Sequence, residues 1–233
     1  MNSSGQPTLW DRTAWLESTQ QDLWRVFQVM AEFVNGFEIM SRIGPAVSVF
    51  GSARTEPGTP AYVLAEQVAR ELVLAGYGVI TGAGGGIMEA ANKGAKEAGG
   101  SSIGVNIDLP FEQQANVYVD KEKLIKFRHF FVRKVMFVKY AQGFIVLPGG
   151  FGTFDEFFEA VTLIQTRKTT KFPVILLGKE YWKGLVDWIT TTVLSAGNIS
   201  PTDIGLFHLT DDPKEAVSII AHHYEKEKHR PNF

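Results

Sequence analysis

A glycine-rich segment between an apolar run and a helical pattern has the clearest capacity for chemistry in this sequence. It reads PGGFGTFDE over residues 148–156. The amides of Gly150 and Gly152, with the amide and hydroxyl of Thr153, are donors that a helix N-terminus would direct at a phosphate or other anion. We expect that helix to begin at Thr153. An alternative use is a capping box between Thr153 and Glu156, which would leave the glycines unexplained.

Two adjacent carboxylates follow this turn, Asp155 and Glu156. Neighbours on a helix point about 100° apart, so at most one of them faces a ligand squarely. Phe154, Phe157 and Phe158 crowd the same turn and would partly desolvate the inward carboxylate. The alternative is a carboxylate that only complements the helix dipole.

A basic and aromatic segment, FRHFFVRKVMFVKY over residues 127–140, is the second candidate. Its cations are Arg128, Arg133, Lys134 and Lys139, and the alternative for each is a solvated position on the polar face of a helix. We interpret His129 as structural. Histidines and acids nowhere show metal-ligand spacing, so no metal site is predicted.

Short apolar, β-branched runs alternate with helical patterns and must position these groups. Strands are predicted at 46–50, 77–81, 101–107, 143–148 and 172–178. Helices are predicted at 60–75, 86–98, 128–141, 153–166 and 181–195. This alternation predicts an α/β fold, a Rossmann-like doubly wound parallel sheet with helices on both faces.

The two ends of the chain add helices to this core. Residues 1–12 are expected to be a loose arm, and 18–40 an N-terminal amphipathic helix whose aromatic positions need a surface to lie on. A C-terminal helix is predicted at 211–228, with acid at its cap and Pro213 in its first turn. The chain 1–233 is interpreted as a single domain, with a nucleotide-binding core at 45–200.

Three glycine clusters follow predicted strands, at Gly51-Ser52, at 82–86 and at 149–153. Carboxyl ends of parallel strands share one edge of the sheet, where ligands bind. The standard nucleotide fingerprints fail there, because Ile87 stands where a third glycine is needed and no Gly-Lys-Ser/Thr sequence occurs.

Composition narrows the function classes. A net charge of −2 without a basic block disfavours nucleic acid as a partner, and the lack of cysteine excludes disulfides and thiolate chemistry. The N-terminal residues lack a leader pattern and no run is long enough for a membrane span. We therefore expect a cytoplasmic protein with no membrane partner.

The spacing of these segments resembles a known family over roughly residues 45–200. RKVM at 133–136, followed by PGGFGTFDE, is similar to the two-part signature of the LONELY GUY (LOG) phosphoribohydrolases, and GAGGGIMEAANKGA at 82–95 resembles their second glycine-rich segment. These enzymes release the base from cytokinin riboside 5′-monophosphates, and many act on AMP. Members have often been mislabelled lysine decarboxylases.

The resemblance implies that Arg133 and Glu156 are catalytic. It implies a substrate-binding set made of Gly149, Gly150, Phe151, Gly152, Thr153, Phe154, Asp155, Lys134, Glu112, Thr162, Ser52, Gly84, Gly85 and Met88. No cofactor is expected. A homo-oligomer is implied, a dimer or an assembly of dimers such as a hexamer, with Arg133 or Glu112 completing a neighbour's cleft.

The function predicted on this basis is a nucleoside 5′-monophosphate N-glycosidase that yields free base and ribose 5-phosphate. Glu156 would stabilise positive charge on the sugar, and Arg133 would serve as a fixed positive donor. A non-catalytic carrier of nucleotide or molybdenum cofactor is the alternative, because such carriers share the fold. Single-stranded DNA binding is weakened by the negative charge.

Overall fold

A computed structural model describes residues 12–109, 114–225 and 228–233, with the side chains of the first helix from Trp24 onward. Its centre is one sheet of seven parallel strands. The strands are β1 (Ala46–Phe50), β2 (Gly78–Thr81), β3 (Ser102–Ile107), β4 (Leu124–Phe127), β5 (Ala141–Val146), β6 (Val174–Leu177) and β7 (His208–Thr210). Their spatial order is β4-β3-β2-β1-β5-β6-β7.

In the part of the chain that the structure describes, seven α-helices cover the sheet. They are α1 (Arg12–Met40), α2 (Pro60–Leu74), α3 (Ile87–Glu97), α4 (Phe130–Tyr140), α5 (Phe151–Gln165), α6 (Lys179–Trp188) and α7 (Pro213–Tyr224). Every residue of β1, β2, β3, β5 and β6 is buried, because helices lie on both faces. One core contains residues of α4, α5 and α6, and the other contains residues of α2, α3 and α7. The predicted doubly wound α/β fold is confirmed.

The strand order reverses beside β1, which lies between β2 and β5. In open α/β sheets the crevice at such a switch point, outside the carboxyl ends of the strands, is the place for a ligand. The first and third glycine clusters follow β1 and β5, which are neighbours in the sheet, so the fold itself puts these clusters at the crevice.

Several predicted boundaries are displaced, by about six residues at the start of α1 and by one or two residues where α4 meets β5. Helix α1 begins at Arg12, before the predicted start at Ser18, whereas residues 1–11 of the predicted arm lie outside the described residues. Strand β5 begins at Ala141, directly after α4, so the predicted helix end and strand start both shift. The C-terminal helix begins as predicted near Pro213, with Asp212 accepting a hydrogen bond from the Lys214 amide at 2.8 Å.

The sequence patterns missed both edge strands, β4 and β7. Each is short, and each carries an exposed polar residue, Lys126 and His208 respectively. Edge strands are covered on fewer sides than central strands, so they lack the continuous apolar run by which the others were found.

The C-terminal segment fastens the far end of α4. Asn232 is buried, and its Nδ2 donates to the carbonyl oxygens of Val138 at 2.6 Å and Ala141 at 2.7 Å. Its backbone amide donates to the Lys139 carbonyl at 2.8 Å. These bonds satisfy carbonyls that the end of a helix leaves free. In the described ranges, the helices include none with the length and apolarity to cross a membrane.

Candidate active site

Backbone hydrogen bonds tie the three glycine-rich turns together at the carboxyl edge of the sheet. The Ser52 amide donates to the Pro148 carbonyl at 3.0 Å, and the Ser52 carbonyl accepts from the Ile87 amide at 3.0 Å. Gly86 lies so close that a Cβ there would be 2.3 Å from the Ser52 oxygen. The turn after β1 is therefore held between the other two.

Helix α5 begins at Phe151, with Gly150 as its N-cap residue and no side-chain cap. The first helical hydrogen bond runs from the Phe154 amide to the Gly150 carbonyl, at 3.1 Å. Residues 150–153 thus present the amides that a helix start leaves without intrahelical partners. The predicted start at Thr153, and with it the capping box, is wrong because Thr153 already lies inside the first turn.

The three glycines of this turn have different roles. A Cβ on Gly149 would lie 2.1 Å from Thr153 Oγ1, so Gly149 is required by close packing against that buried threonine. A Cβ on Gly150 or Gly152 would meet nothing within 4 Å. These two positions leave open space beside free amides, which suits the close approach of an anion.

A cleft of about 610 Å³ opens at this turn. Described residues that line it are Phe50, Gly51, Ser52, Ala53, Arg54, Gly82, Met88, Ile107, Leu109, Phe130, Arg133, Gly150, Phe151, Gly152, Thr153 and Glu156. The cleft therefore brings together eight residues of the predicted catalytic and substrate-binding set: Ser52, Met88, Arg133, Gly150, Phe151, Gly152, Thr153 and Glu156.

Arg133 is fixed on the first part of α4. Its Nε donates to the Val105 carbonyl at 2.8 Å, and its guanidinium lies 5.1 Å from the centre of the Phe137 ring. Gly82 makes room for it, since a Cβ there would lie 2.3 Å from Arg133 Nη2. Burial lowers the pKa of Arg133 from its ordinary value, and the charge of Glu156 opposes this.

Glu156 projects into the cleft from the first turn and a half of α5. Burial raises its pKa to about 7, against the opposing effect of Arg133. The two side chains act on each other through charge, although no direct salt bridge joins them. A carboxylate with such a pKa can change protonation state near neutral pH, as acid–base chemistry requires.

Other predicted site residues lie outside the cleft lining. Lys134 Nζ donates to Asp155 Oδ1 at 2.7 Å and lies 3.6 Å from Glu159 Oε2. Burial acts to lower the pKa of Lys134, but these carboxylates leave it above its ordinary value. Phe154 packs edge-on against the Trp182 ring, at 5.7 Å between centroids.

Thr162 is exposed farther along α5, and its carbonyl accepts from Thr166 Oγ1 at 2.7 Å. Gly149 lies beside the Thr153 hydroxyl and outside the lining set. Glu112 lies outside the described residues. The structure therefore does not bring Lys134, Asp155, Phe154 or Thr162 into the described lining of this cleft.

The turn at 82–86 is closed by the protein's own polar groups. Asn116 Nδ2 donates to the Gly84 carbonyl at 2.9 Å, and the Asn116 amide donates to the Ala83 carbonyl at 2.8 Å. Asn116 also reaches Asn92 Oδ1 at 3.0 Å, which in turn accepts from Thr81 Oγ1 at 2.6 Å. Gly84 is thus part of a structural network, and both Gly84 and Gly85 lie outside the described cleft lining.

Sequence reasoning missed Arg54 and the apolar wall formed by Ile107, Leu109 and Phe130. Arg54 lies two residues after Ser52, and its amide donates to Ser52 Oγ at 3.1 Å. A cation two residues beyond a glycine turn is a signal that could have found it. The apolar wall has no local signal, because it depends on how the end of β3 meets α4.

Comparison with known proteins finds similar sequences in one family. The family model described as "Possible lysine decarboxylase" matches residues 88–220. The cytokinin riboside 5′-monophosphate phosphoribohydrolase of Rhodococcoides fascians is 28% identical over 75% of this chain and 88% of its own length. The LOG5 phosphoribohydrolase of Arabidopsis thaliana is 30% identical over 66% of this chain and 67% of its own.

A solved structure with a different described role has a related fold. The molybdenum cofactor binding protein of Rippkaea orientalis superposes with a TM-score of 0.53 and is 25% identical, covering 77% of this chain and 96% of its own.

The family model spans more than half of the present sequence and includes the Arg133 and Glu156 positions. The chain therefore belongs to the LONELY GUY family, to which the family model and both phosphoribohydrolases point.

Proposed function

We propose that this protein is a nucleoside 5′-monophosphate N-glycosidase, which converts base-ribose-5′-phosphate and water into free base and ribose 5-phosphate. The observation that carries the proposal is one cleft holding an uncapped helix start, Arg133 and Glu156. The names of the relatives agree with this reaction class.

The phosphate is assigned to the start of α5. Free amides at residues 150–153 and the helix dipole favour an anion there, and the open space at Gly150 and Gly152 allows it to approach. Arg54 lines the same cleft and supplies a positive charge that the amides lack. The buried Thr153 hydroxyl adds a further donor.

The ribose and base are assigned to the space between Glu156 and Arg133. Cleavage of the bond from C1′ to the base nitrogen develops positive charge on the sugar and negative charge on the base. The Glu156 carboxylate stabilises the sugar cation, and the fixed guanidinium of Arg133 stabilises the departing base. With a pKa of about 7, Glu156 can also accept one proton of the attacking water and pass it on to the departing base nitrogen, so that water supplies hydroxide to C1′ and a proton to the base.

The apolar wall suits a flat purine ring. Met88, Ile107, Leu109 and Phe130 supply this side of the cleft, whereas the α5 turn supplies the polar side. An aromatic base gains from burial against such a surface. Adenine nucleotides are accordingly the substrates to test, with and without a prenyl group.

The deciding experiment incubates the full chain with AMP and, separately, with isopentenyladenosine monophosphate, and follows free base by chromatography. We expect Glu156→Gln to lower kcat by about 10²-fold or more, because it removes the charge and keeps the size. Glu159→Gln is the matched control, since Glu159 lies one turn further along α5 beside Lys134 and outside the described cleft lining. No base release by the wild-type chain at any pH between about 5 and 9 would end the proposal.

A carrier is the second candidate, favoured by the likeness to the molybdenum cofactor binding protein. It predicts tight binding of AMP or of molybdenum cofactor without release of base, and equal behaviour of the wild-type chain and Glu156→Gln. The same chromatographic assay, run beside equilibrium binding, separates the two functions.

We also propose that the protein is a homo-oligomer in which a second copy covers α1. Trp24, Phe27, Met30 and Val34 form an exposed stripe, while Val29 and Phe33 pack on the core from the opposite side. A helix that is apolar on both sides is normally buried on both. Light scattering on the full chain gives the subunit count, and a monomer would contradict this assignment.

A further inference from the structure

The N-terminal helix reaches the start of the helix that carries Arg133. The Glu32 carboxylate of α1 accepts hydrogen bonds from the backbone amides of Arg128, at 3.2 Å, and His129, at 3.3 Å. It also lies 3.1 Å from His129 Nδ1, which must carry the proton because a carboxylate can only accept. Glu32 is 14% exposed, so these contacts are mostly shielded from water.

These contacts hold the two residues that lead into α4. His129 is the N-cap residue of α4, and its own side chain makes no capping bond. A carboxylate at a helix start satisfies free amides and complements the helix dipole. Glu32 lies at this end of the helix and bonds the amides of Arg128 and of the N-cap residue His129, from 96 and 97 positions earlier in the chain.

Close packing sets the position of α1 on this helix. Gly36 lies one turn after Glu32, and a Cβ there would be 2.8 Å from Met136 Cε and 3.1 Å from Phe127 Cζ. The backbone of α1 therefore touches both α4 and the end of β4. Two points on one face of α1, one polar and one packed, hold it in register against α4.

Arg133 is tied to the same start. Its amide donates to the His129 carbonyl at 3.2 Å, so one helical turn joins the capped residue to the guanidinium in the cleft. The side chain is held further by Val105 and Phe137. A shift in where α4 begins would move Arg133 relative to Glu156 on the opposite wall.

We propose that Glu32 is a positioning residue, which fixes the start of α4 so that Arg133 faces the reacting bond. The N-terminal helix is then part of the catalytic apparatus, although its residues are not among the described residues lining the cleft. This inference rests on the proposed N-glycosidase function. Misplacement of a catalytic group by about 1 Å from a remote site costs up to 10²-fold in rate.

The test compares Glu32→Ala and Glu32→Gln with Glu38→Ala. Glu38 lies on the same helix in an exposed pair with Arg42, at 3.0 Å, and serves as the matched control. We expect Glu32→Ala to lower kcat for base release from AMP on the order of tenfold, with KM changed less than about twofold. We expect KM to change less than kcat because the proposed phosphate site is at the start of α5, which Glu32 does not contact.

Hydrogen exchange of the amides at 128–133 gives a second readout that needs no substrate. Exchange should quicken in Glu32→Ala and stay unchanged in Glu38→Ala. Glu32→Gln keeps one acceptor oxygen and should restore part of both kcat and protection.

Faster exchange with wild-type kcat would overturn the proposal, since the contact would then be structural only. Unchanged exchange would overturn it as well. If the wild-type chain releases no base, the proposed function fails instead, and exchange alone then decides whether Glu32 holds the start of α4.

Discussion

Two glycine-rich turns at the same edge of the sheet, 82–86 and 149–153, differ in the partners of their backbone polar groups. In the first, Asn116 occupies the carbonyls of Ala83 and Gly84, and a buried network behind it joins Thr81, Asn92 and Ser102. In the second, the amides at the start of α5 meet no side-chain cap, and Gly150 and Gly152 face open space. The protein's own side chain occupies carbonyls of the first turn, whereas the amides of the second turn have no side-chain cap, as the proposed phosphate site requires.

The difference teaches that glycine content does not by itself mark a binding site. Gly86 serves close backbone packing, with φ of 63° and a neighbouring carbonyl where a Cβ would be. Gly152 has no such steric need. Asking where the backbone polar groups of each turn find their partners separates the two uses.

The largest expected effect comes from breaking the closed turn. Gly86→Ala places a Cβ 2.3 Å from the Ser52 oxygen at a left-handed φ, so we expect a loss of at least about 3 kcal/mol of stability. Gly58→Ala is the control, because Gly58 has φ of 82° but nothing within 4 Å, and it should cost only about 1 kcal/mol. Denaturant unfolding measures both, and equal losses would contradict the packing role of Gly86.

In the turn at 149–153, we expect a substitution to weaken binding and to leave the fold no less stable. Gly152→Ala fills space beside the free amides, so AMP affinity should fall by about tenfold. Stability should meanwhile rise by about 0.5–1 kcal/mol, since alanine is the better helix residue. Calorimetric binding and thermal unfolding measure the two effects.

Gly184→Ala makes the same substitution at an exposed position of α6, also with nothing within 4 Å. It should be stabilising with AMP affinity unchanged. Equal affinities for Gly152→Ala and the wild-type chain would show that the α5 start is not the phosphate site.

The smallest expected effect is the pH dependence of stability that Glu156 causes. Burial raises the pKa of Glu156 to about 7, so the folded protein binds a proton more tightly than the unfolded chain. The resulting stability is fully present below the ordinary carboxyl pKa and is lost as pH rises through about 7. Between pH 6 and 7, the wild-type chain should lose about 1 kcal/mol more than Glu156→Gln.

Unfolding titrations of both chains at several pH values give this difference directly. Other titrating groups cancel in the comparison, because they are common to the two chains. Parallel stability curves would mean that Glu156 is ionised as readily in the folded protein as in water.

The central strands could be predicted from the sequence because they are buried. Strands such as β1 and β6 are buried on both faces, so their residues must be apolar over a continuous run. The edge strands β4 and β7 need not be apolar throughout. The exposed polar residues Lys126 and His208 interrupt the apolar pattern by which the other strands were predicted.

The site was only partly predictable. Arg133 and Glu156 were identified through a family resemblance, and the cleft unites them, but Lys134 instead pairs with Asp155 and Glu159. Neighbours on a helix face different directions, and sequence alone does not show which one faces inward. The Asn116 contacts and the apolar wall depend on segments that meet only in the folded chain.

Helix α4 is fastened at its start from 96 positions upstream by Glu32, and at its end from 94 positions downstream by Asn232. Contacts between residues so far apart in sequence close long loops of chain. They must offset the entropy lost on loop closure before they stabilise the helix. The helix that carries Arg133 is therefore expected to reach its final position late in folding. A chain can hold most of its sheet and still lack a working cleft until both distant segments have docked.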